Sequence, residues 1–137
     1  MSVTINDNTD EVLKQLDNAL ERALTRIGLQ AEGYAKKELT KNGNVDTGLL
    51  RNSITFAISG ESANTSSYKA DRGDGSGSYS GTAPNDKDKS VYIGTNVEYG
   101  DYVELGTSQS KAYPYLKPAA TEHSDVYKRI MNEELGG

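Results

Sequence analysis

Three carboxylates recur at intervals of three residues, Glu98, Asp101 and Glu104. On a helix that spacing brings them to one face, and a carboxylate pair is the minimum for glycoside hydrolysis or two-metal chemistry. No basic residue stands inside the cluster to position a phosphate, and no second acidic cluster completes a metal cage. Glu98 and Asp101 are therefore expected to face solvent, and Glu104 to pair with Arg51 or Lys111. A second candidate is Asp46-Thr47-Gly48, the tripeptide that carries the catalytic aspartate of aspartic proteases, flanked by Val45. A dimeric protease needs one copy per chain. The preceding Lys41-Asn42-Gly43-Asn44 is a polar turn, not the hydrophobic strand such a site requires. Asp46, or Thr47, is instead expected to cap the helical turn that follows.

The remaining chemistry is sparse. His123 is the only histidine, which excludes a His-based triad or a multi-histidine metal site within one chain. It is expected on the surface of a terminal helix. Asp71-Arg72-Gly73-Asp74-Gly75 lacks the ligand spacing and closing Glu of a calcium loop and reads as a solvated loop. Asn64-Thr65-Ser66 fits a glycosylation sequon but follows no secretory signal. Tyr92, Tyr99, Tyr102, Tyr113 and Tyr115 suggest base stacking, yet stacking platforms come with a cationic groove that this segment lacks. Tyrosines of this kind bury a large ring and keep one end wet, so they are expected in the core or at a subunit interface. No cofactor is expected.

The chain has 137 residues, enough for one domain with a modest core. Without cysteine it can form neither disulfides nor thiolate metal sites. The N-terminal residues carry no leader pattern and no apolar run is long enough to span a bilayer, so a cytosol-like setting without membrane contact is expected. A net charge of -5, spread over both halves, argues against wrapping nucleic acid, which needs clustered Lys and Arg.

Four parts must position these groups. From Thr9 to Leu39 apolar residues follow the three-and-four spacing of an amphipathic helix, with Asn8 and Glu11 as a capping box and Gly43 as the stop. A helix of roughly 45 Å at 1.5 Å per residue exceeds what so small a core can cover. Part of its stripe, Leu16, Leu20, Ala23 and Ile27, is expected to meet another subunit. A helical turn over Leu49–Asn52 leads to a strand at 53–59, in which Ile54, Phe56 and Ile58 alternate with smaller residues. Residues 60–89, rich in Ser, Gly, Asn and Asp, read as a long flexible hairpin loop whose Tyr68 and Tyr79 are available to a neighbour. A strand at 90–94 pairs antiparallel with the first. In the segment 97–105, Tyr99, Tyr102, Val103 and Leu105 are expected to be buried by a short helix or bend. Pro118 opens a terminal helix reaching Leu135. The fold class is α+β, two helices on a small antiparallel sheet in a single domain.

VDTGLLRNSI at 45–54, YIGTNVEYGDYVELGT at 92–107 and YPYLKPA at 113–119 resemble the family of tailed-bacteriophage proteins typified by gp10 of phage HK97. The shared positions are Asp46, Thr47, Gly48, Arg51, Gly94, Asn96, Tyr99, Glu104, Gly106, Pro114 and Pro118. Gly100 replaces a usual alanine, and Leu105 and Tyr115 replace common phenylalanines. The resemblance implies a structural virion protein without catalytic residues, acting in tail completion or head-tail joining. It further implies a homohexameric ring in the neck, assembled in the host cytoplasm. Its partners would be other copies of itself, a tail terminator or tail tube, and head-completion or adaptor proteins, with DNA passing through the lumen unbound. A tail terminator is the alternative, and a protease using Asp46 or a small prophage toxin or regulator are others.

Overall fold

A computed structural model describes residues 5–41, 43 and 47–136. The first helix, α1 (Ile5–Lys41), runs for 37 residues, about 55 Å at 1.5 Å per residue. It begins four residues before the expected start, so Asn8 lies inside the helix rather than at its cap. No Gly or Pro interrupts the upstream turn, and helix propagation adds a hydrogen bond for each residue fixed. At the other end Gly43 has φ 77° and donates its N–H to the Thr40 carbonyl at 3.2 Å.

The inward stripe of α1 is built largely from small residues. Ala19, Ala23, Ala31 and Ala35 are buried with Leu24 and Leu39. The helix therefore approaches its neighbours closely. Gly28 completes this face: a Cβ there would collide with the ring of Phe56. Ala23 is fully buried within its own chain, which corrects its expected place in a subunit interface. Residues 11–18, by contrast, are exposed on every side. Val12, Leu13 and Leu16 stand 50%, 54% and 50% exposed.

After α2 (Leu49–Ser53), strand β1 (Thr55–Ile58) pairs antiparallel with β4 (Val91–Gly94) in the register Thr55↔Gly94 to Ile58↔Val91. Both strands are shorter than the sequence spans of 53–59 and 90–94. The alternation in β1 suggested one buried face, but Thr55 is buried as well as Ile54, Phe56 and Ile58. Part of the intervening segment covers the second side. Asn64 donates its N–H to the Phe56 carbonyl at 2.8 Å, Thr65 donates to Thr55 Oγ1 at 2.8 Å, and Gly60 and Ala83 are linked by backbone bonds.

That intervening segment also holds a second two-stranded sheet, β2 (Ser67–Lys69) with β3 (Ser76–Ser78). Residues 60–89 are thus more than an open loop. Tyr68 and Tyr79 pack against each other with ring centroids 5.7 Å apart, and each also bonds its own chain while staying half-buried. The two rings supply the apolar area that the Ser and Gly of this segment lack.

The expected terminal helix is two helices, α4 (Leu116–Thr121) and α5 (Ser124–Leu135), after α3 (Gly100–Leu105). Pro118 is the third residue of α4 rather than its first. The first turn has no intrahelical acceptor for that position's N–H, so proline is tolerated there. The break at Glu122 and His123 lets the imidazole stack on Tyr34, centroids 3.6 Å apart and planes 8° from parallel. His123 is therefore packed against α1, not solvated as expected. Helix α5 then runs back antiparallel to α1. Glu134 meets Arg22 and Arg26 at 3.0 Å each, and Glu133 meets Arg26 at 2.8 Å. The core gathers Ala35 and Leu39 with Leu50, Ile54, Tyr115 and Ala119. The fold is α+β, with five helices among the described residues.

Candidate assembly surface

The acidic cluster does not converge. Glu98 and Asp101 are exposed, while Glu104 turns toward the start of α4. Its Oε1 accepts the N–H groups of Tyr115 at 2.9 Å and Leu116 at 2.8 Å, and its Oε2 accepts that of Lys117 at 3.1 Å. Three orphan donors at a helix start thus share one carboxylate supplied eleven to thirteen residues earlier in the chain. The expected pairing with Arg51 or Lys111 is replaced by this backbone cap. The negative charge also opposes the positive end of the helix dipole.

Arg51 has a different partner. Its guanidinium bonds the carboxylate of Asp71, which also accepts Asn52 Nδ2 at 2.9 Å. The Asn52 bond, followed by the Arg51 charge, holds Asp71 below its usual carboxylate range. The backbone seals the same junction, with Asp71 and Arg72 donating to the Thr47 carbonyl at 2.6 and 3.2 Å. Gly48 sits between them at φ 81°, where a Cβ would strike the Asp71 carboxylate. Thr47 Oγ1 accepts the N–H of Leu49 at 3.3 Å. Asp46, read both as a cap and as a protease aspartate, lies outside the described residues.

Asn96 ties the second hairpin to this block. Its Nδ2 donates to the Ser78 carbonyl at 2.9 Å, its backbone N–H to Tyr79 Oη at 3.0 Å, and its Oδ1 accepts the Tyr68 hydroxyl. Tyr79 in turn donates to the Ser53 carbonyl at 2.8 Å. Ser53 is fully buried and its hydroxyl lies 2.5 Å from that of Thr95. Gly94 is the last residue of β4, at the end of the expected strand. Gly106 ends α3 by donating to the Tyr102 carbonyl at 2.8 Å. Pro114 is exposed beside Tyr115, whose ring is fully buried and whose hydroxyl donates to the Gly100 carbonyl at 3.0 Å. Burial pushes the Tyr115 hydroxyl far above the usual tyrosine range.

Beside these bonds the block leaves several large apolar groups exposed. Helix α3 turns Gly100 inward and sets Val103 against the core. Tyr99, Tyr102 and Leu105, also three residues apart, fall on its outer side. Tyr102 is 58% exposed, Leu105 77%, and Tyr99 and Tyr113 slightly above two-fifths. Tyr113 joins them because its N–H bonds the Val103 carbonyl at 2.8 Å. The expected burial of Tyr99, Tyr102 and Leu105 is thus reversed, and only Val103 of that set packs inward. The three-residue interval in 99–105 was the signal, since Gly100 is the one position small enough to abut Tyr115 and Thr95. Of the expected interface residues on α1, Leu16 is exposed, while Leu20 and Ile27 are half-buried.

A 270 Å³ cleft over the sheet is bounded by Phe56, Tyr92 and the 79–83 segment. Among the described residues no group of three or more His, Asp or Glu side chains is placed to hold a metal ion, and no helix is long and apolar enough to cross a membrane.

Comparison with known families found a match. Residues 4–106 match the sequence model of a family described as "Bacteriophage HK97-gp10, putative tail-component". The match spans about three-quarters of the chain and includes α1, both sheets and α3. No curated protein and no solved structure matched.

Proposed function

This chain belongs to the HK97-gp10-like family of bacteriophage tail components, and from that premise we propose that it is a structural, non-enzymatic part of the virion neck. In this reading it completes the tail or joins it to the head, as a ring of copies around the DNA channel. A hexamer would weigh about 89 kDa, six times 14.8 kDa. Its neighbours would be the tail tube or terminator on one side and head-completion or adaptor proteins on the other. An acidic ring lining the channel would repel phosphate and let the genome pass.

The observation that carries this reading is how the polar residues are used. Glu104, Arg51, Asn96 and Tyr115 are consumed in holding segments of the chain together. Most of the large apolar groups left exposed lie on α1 and on or beside α3, with Leu135 at the end of α5. A surface of that kind suits assembly better than turnover.

Electron microscopy of a lysate in which this reading frame alone is interrupted tests the proposal. Filled heads beside separate tails of uniform length are expected. Tails of uncontrolled length would reassign the protein as a tail terminator, and intact infectious particles would refute a neck role.

A further inference from the structure

Two exposed apolar surfaces lie at opposite ends of one long helix. The first is the stripe of Val12, Leu13 and Leu16 near the start of α1, on residues that no other described part of the chain covers. The second is the outer side of α3 with Tyr99, Tyr102, Leu105 and Tyr113. Helix α3 is anchored through Val103 to the cluster that contains Ala35 and Leu39 of α1. From Leu13 to Ala35 the helix rises roughly 33 Å, so neither surface can cover the other within one molecule. Resting on the ring proposed above, the geometry points to a head-to-tail contact in which the α1 stripe of one copy lies on the α3 face of the next.

Size supports this occupant. The seven side chains together present roughly 600–700 Å² of accessible area, a little under half of a standard interface of about 1,600 Å². That is the right share for an apolar centre whose polar rim, here Glu11, Lys14, Glu98 and Asp101, supplies the remainder. Symmetry supports it as well. A contact between two different patches propagates from copy to copy and, where the rotation between copies closes, makes a ring, whereas a self-complementary contact stops at two.

Pairing of one α1 stripe with another is the competing arrangement, and α1 is poorly shaped for it. Its three-and-four seam continues through Leu20, Ala23 and Ile27, but Ala23 is fully buried in its own chain. Only about two turns, residues 11–18, remain free for a partner helix. A stable coiled coil needs about three to four heptads. Stripe-on-stripe pairing would also leave the α3 face uncovered.

The absence of cysteine makes a disulfide test clean. Leu16→Cys and Tyr102→Cys are prepared as separate full-length variants, mixed at high protein concentration and oxidised, with native mass spectrometry of the unmodified protein in parallel. Both positions are at least half exposed, so neither change should unfold the chain, and circular dichroism checks this. Expected is a mixed disulfide between the two variants, formed severalfold faster than the homodimer of either. Leu16→Cys linking chiefly to itself would overturn the contact in favour of stripe-on-stripe pairing. A ring by mass without the mixed disulfide would overturn the contact and leave the ring standing. A monomer at every concentration with no mixed disulfide would overturn both.

Discussion

Replacing Glu104 by alanine removes the acceptor for the N–H groups of Tyr115, Leu116 and Lys117 at the start of α4 while leaving every side chain of α4 in place. Loss of a one-bond helix cap costs about 1 kcal/mol, and a charge at the helix start adds about 0.3–1 kcal/mol. Bonds to a charged acceptor reach about 1.5–3 kcal/mol each when buried, but Glu104 is only half-buried and water can replace part of them. A loss of about 2–3 kcal/mol follows for Glu104→Ala. In Glu104→Gln one oxygen still serves Tyr115 and Leu116, while the Lys117 bond and the charge are lost, for about 1 kcal/mol. Urea denaturation followed by circular dichroism measures both, and the melting temperature should fall by about 3–4 °C per kcal/mol for a chain of this size. Glu98→Ala and Lys111→Ala serve as controls and should stay within about 0.5 kcal/mol of the parent. The cap is refuted if Glu104→Ala falls inside that band, or if Lys111→Ala matches it, since the latter would restore the Glu104–Lys111 ion pair.

Gly48→Ala must place a Cβ at φ 81° against the Asp71 carboxylate and should lose about 1–2 kcal/mol of stability, read by thermal melting; an unchanged melt would mean the junction is free to relax. Burial, above all, raises the Tyr127 hydroxyl to about 12, so its folded pKa exceeds the unfolded value and the stability it contributes is complete below pH 10 and lost as pH rises toward 12. In an absorbance titration, Tyr127→Phe should remove one late-ionising group, and early ionisation of all nine tyrosines with native dichroism intact would contradict this. Asp71 has its folded pKa lowered beneath 3.8, so its contribution is present above that value and disappears as pH falls through the lower folded value. The stability gap between the parent and Asp71→Asn should close on acidification below about pH 4, and a gap independent of pH would argue that the carboxylate charge is immaterial.

Helix α1 and the β1–β4 pair were legible in the sequence because each repeats its signal, α1 over nine turns and the strands as matched alternations on either side of a polar segment. Helix α3 was legible only as a short helix or bend, and its inward side was not, since six residues give less than two turns of periodicity and Tyr and Leu do not reveal which side faces inward. The target of Glu104 was equally hidden. A carboxylate that binds side chains can be paired with a cation in the sequence, whereas backbone N–H groups have no letter of their own. Asp71 found Arg51 and Asn52 across some twenty residues because the β2–β3 hairpin turns the chain back, and that hairpin rests on only two tyrosines among Ser and Gly. The break that brings His123 onto Tyr34 lies between two stretches that each favour helix, and the register that chooses it comes from packing on α1.

One helix therefore carries two levels of protection. From Ala19 to Leu39 its backbone is shielded by α5, α4 and β1, and opening it means dismantling the core. At 11–18 no other described element shields its hydrogen bonds, and such turns open at little free-energy expense. Amide hydrogen exchange should fall into a step between Asn18 and Ala23 along a single uninterrupted rod, and uniform slow exchange would deny it. In the assembly proposed above, a terminus that opens this readily would let an ill-fitting neighbour dissociate before the contact is locked.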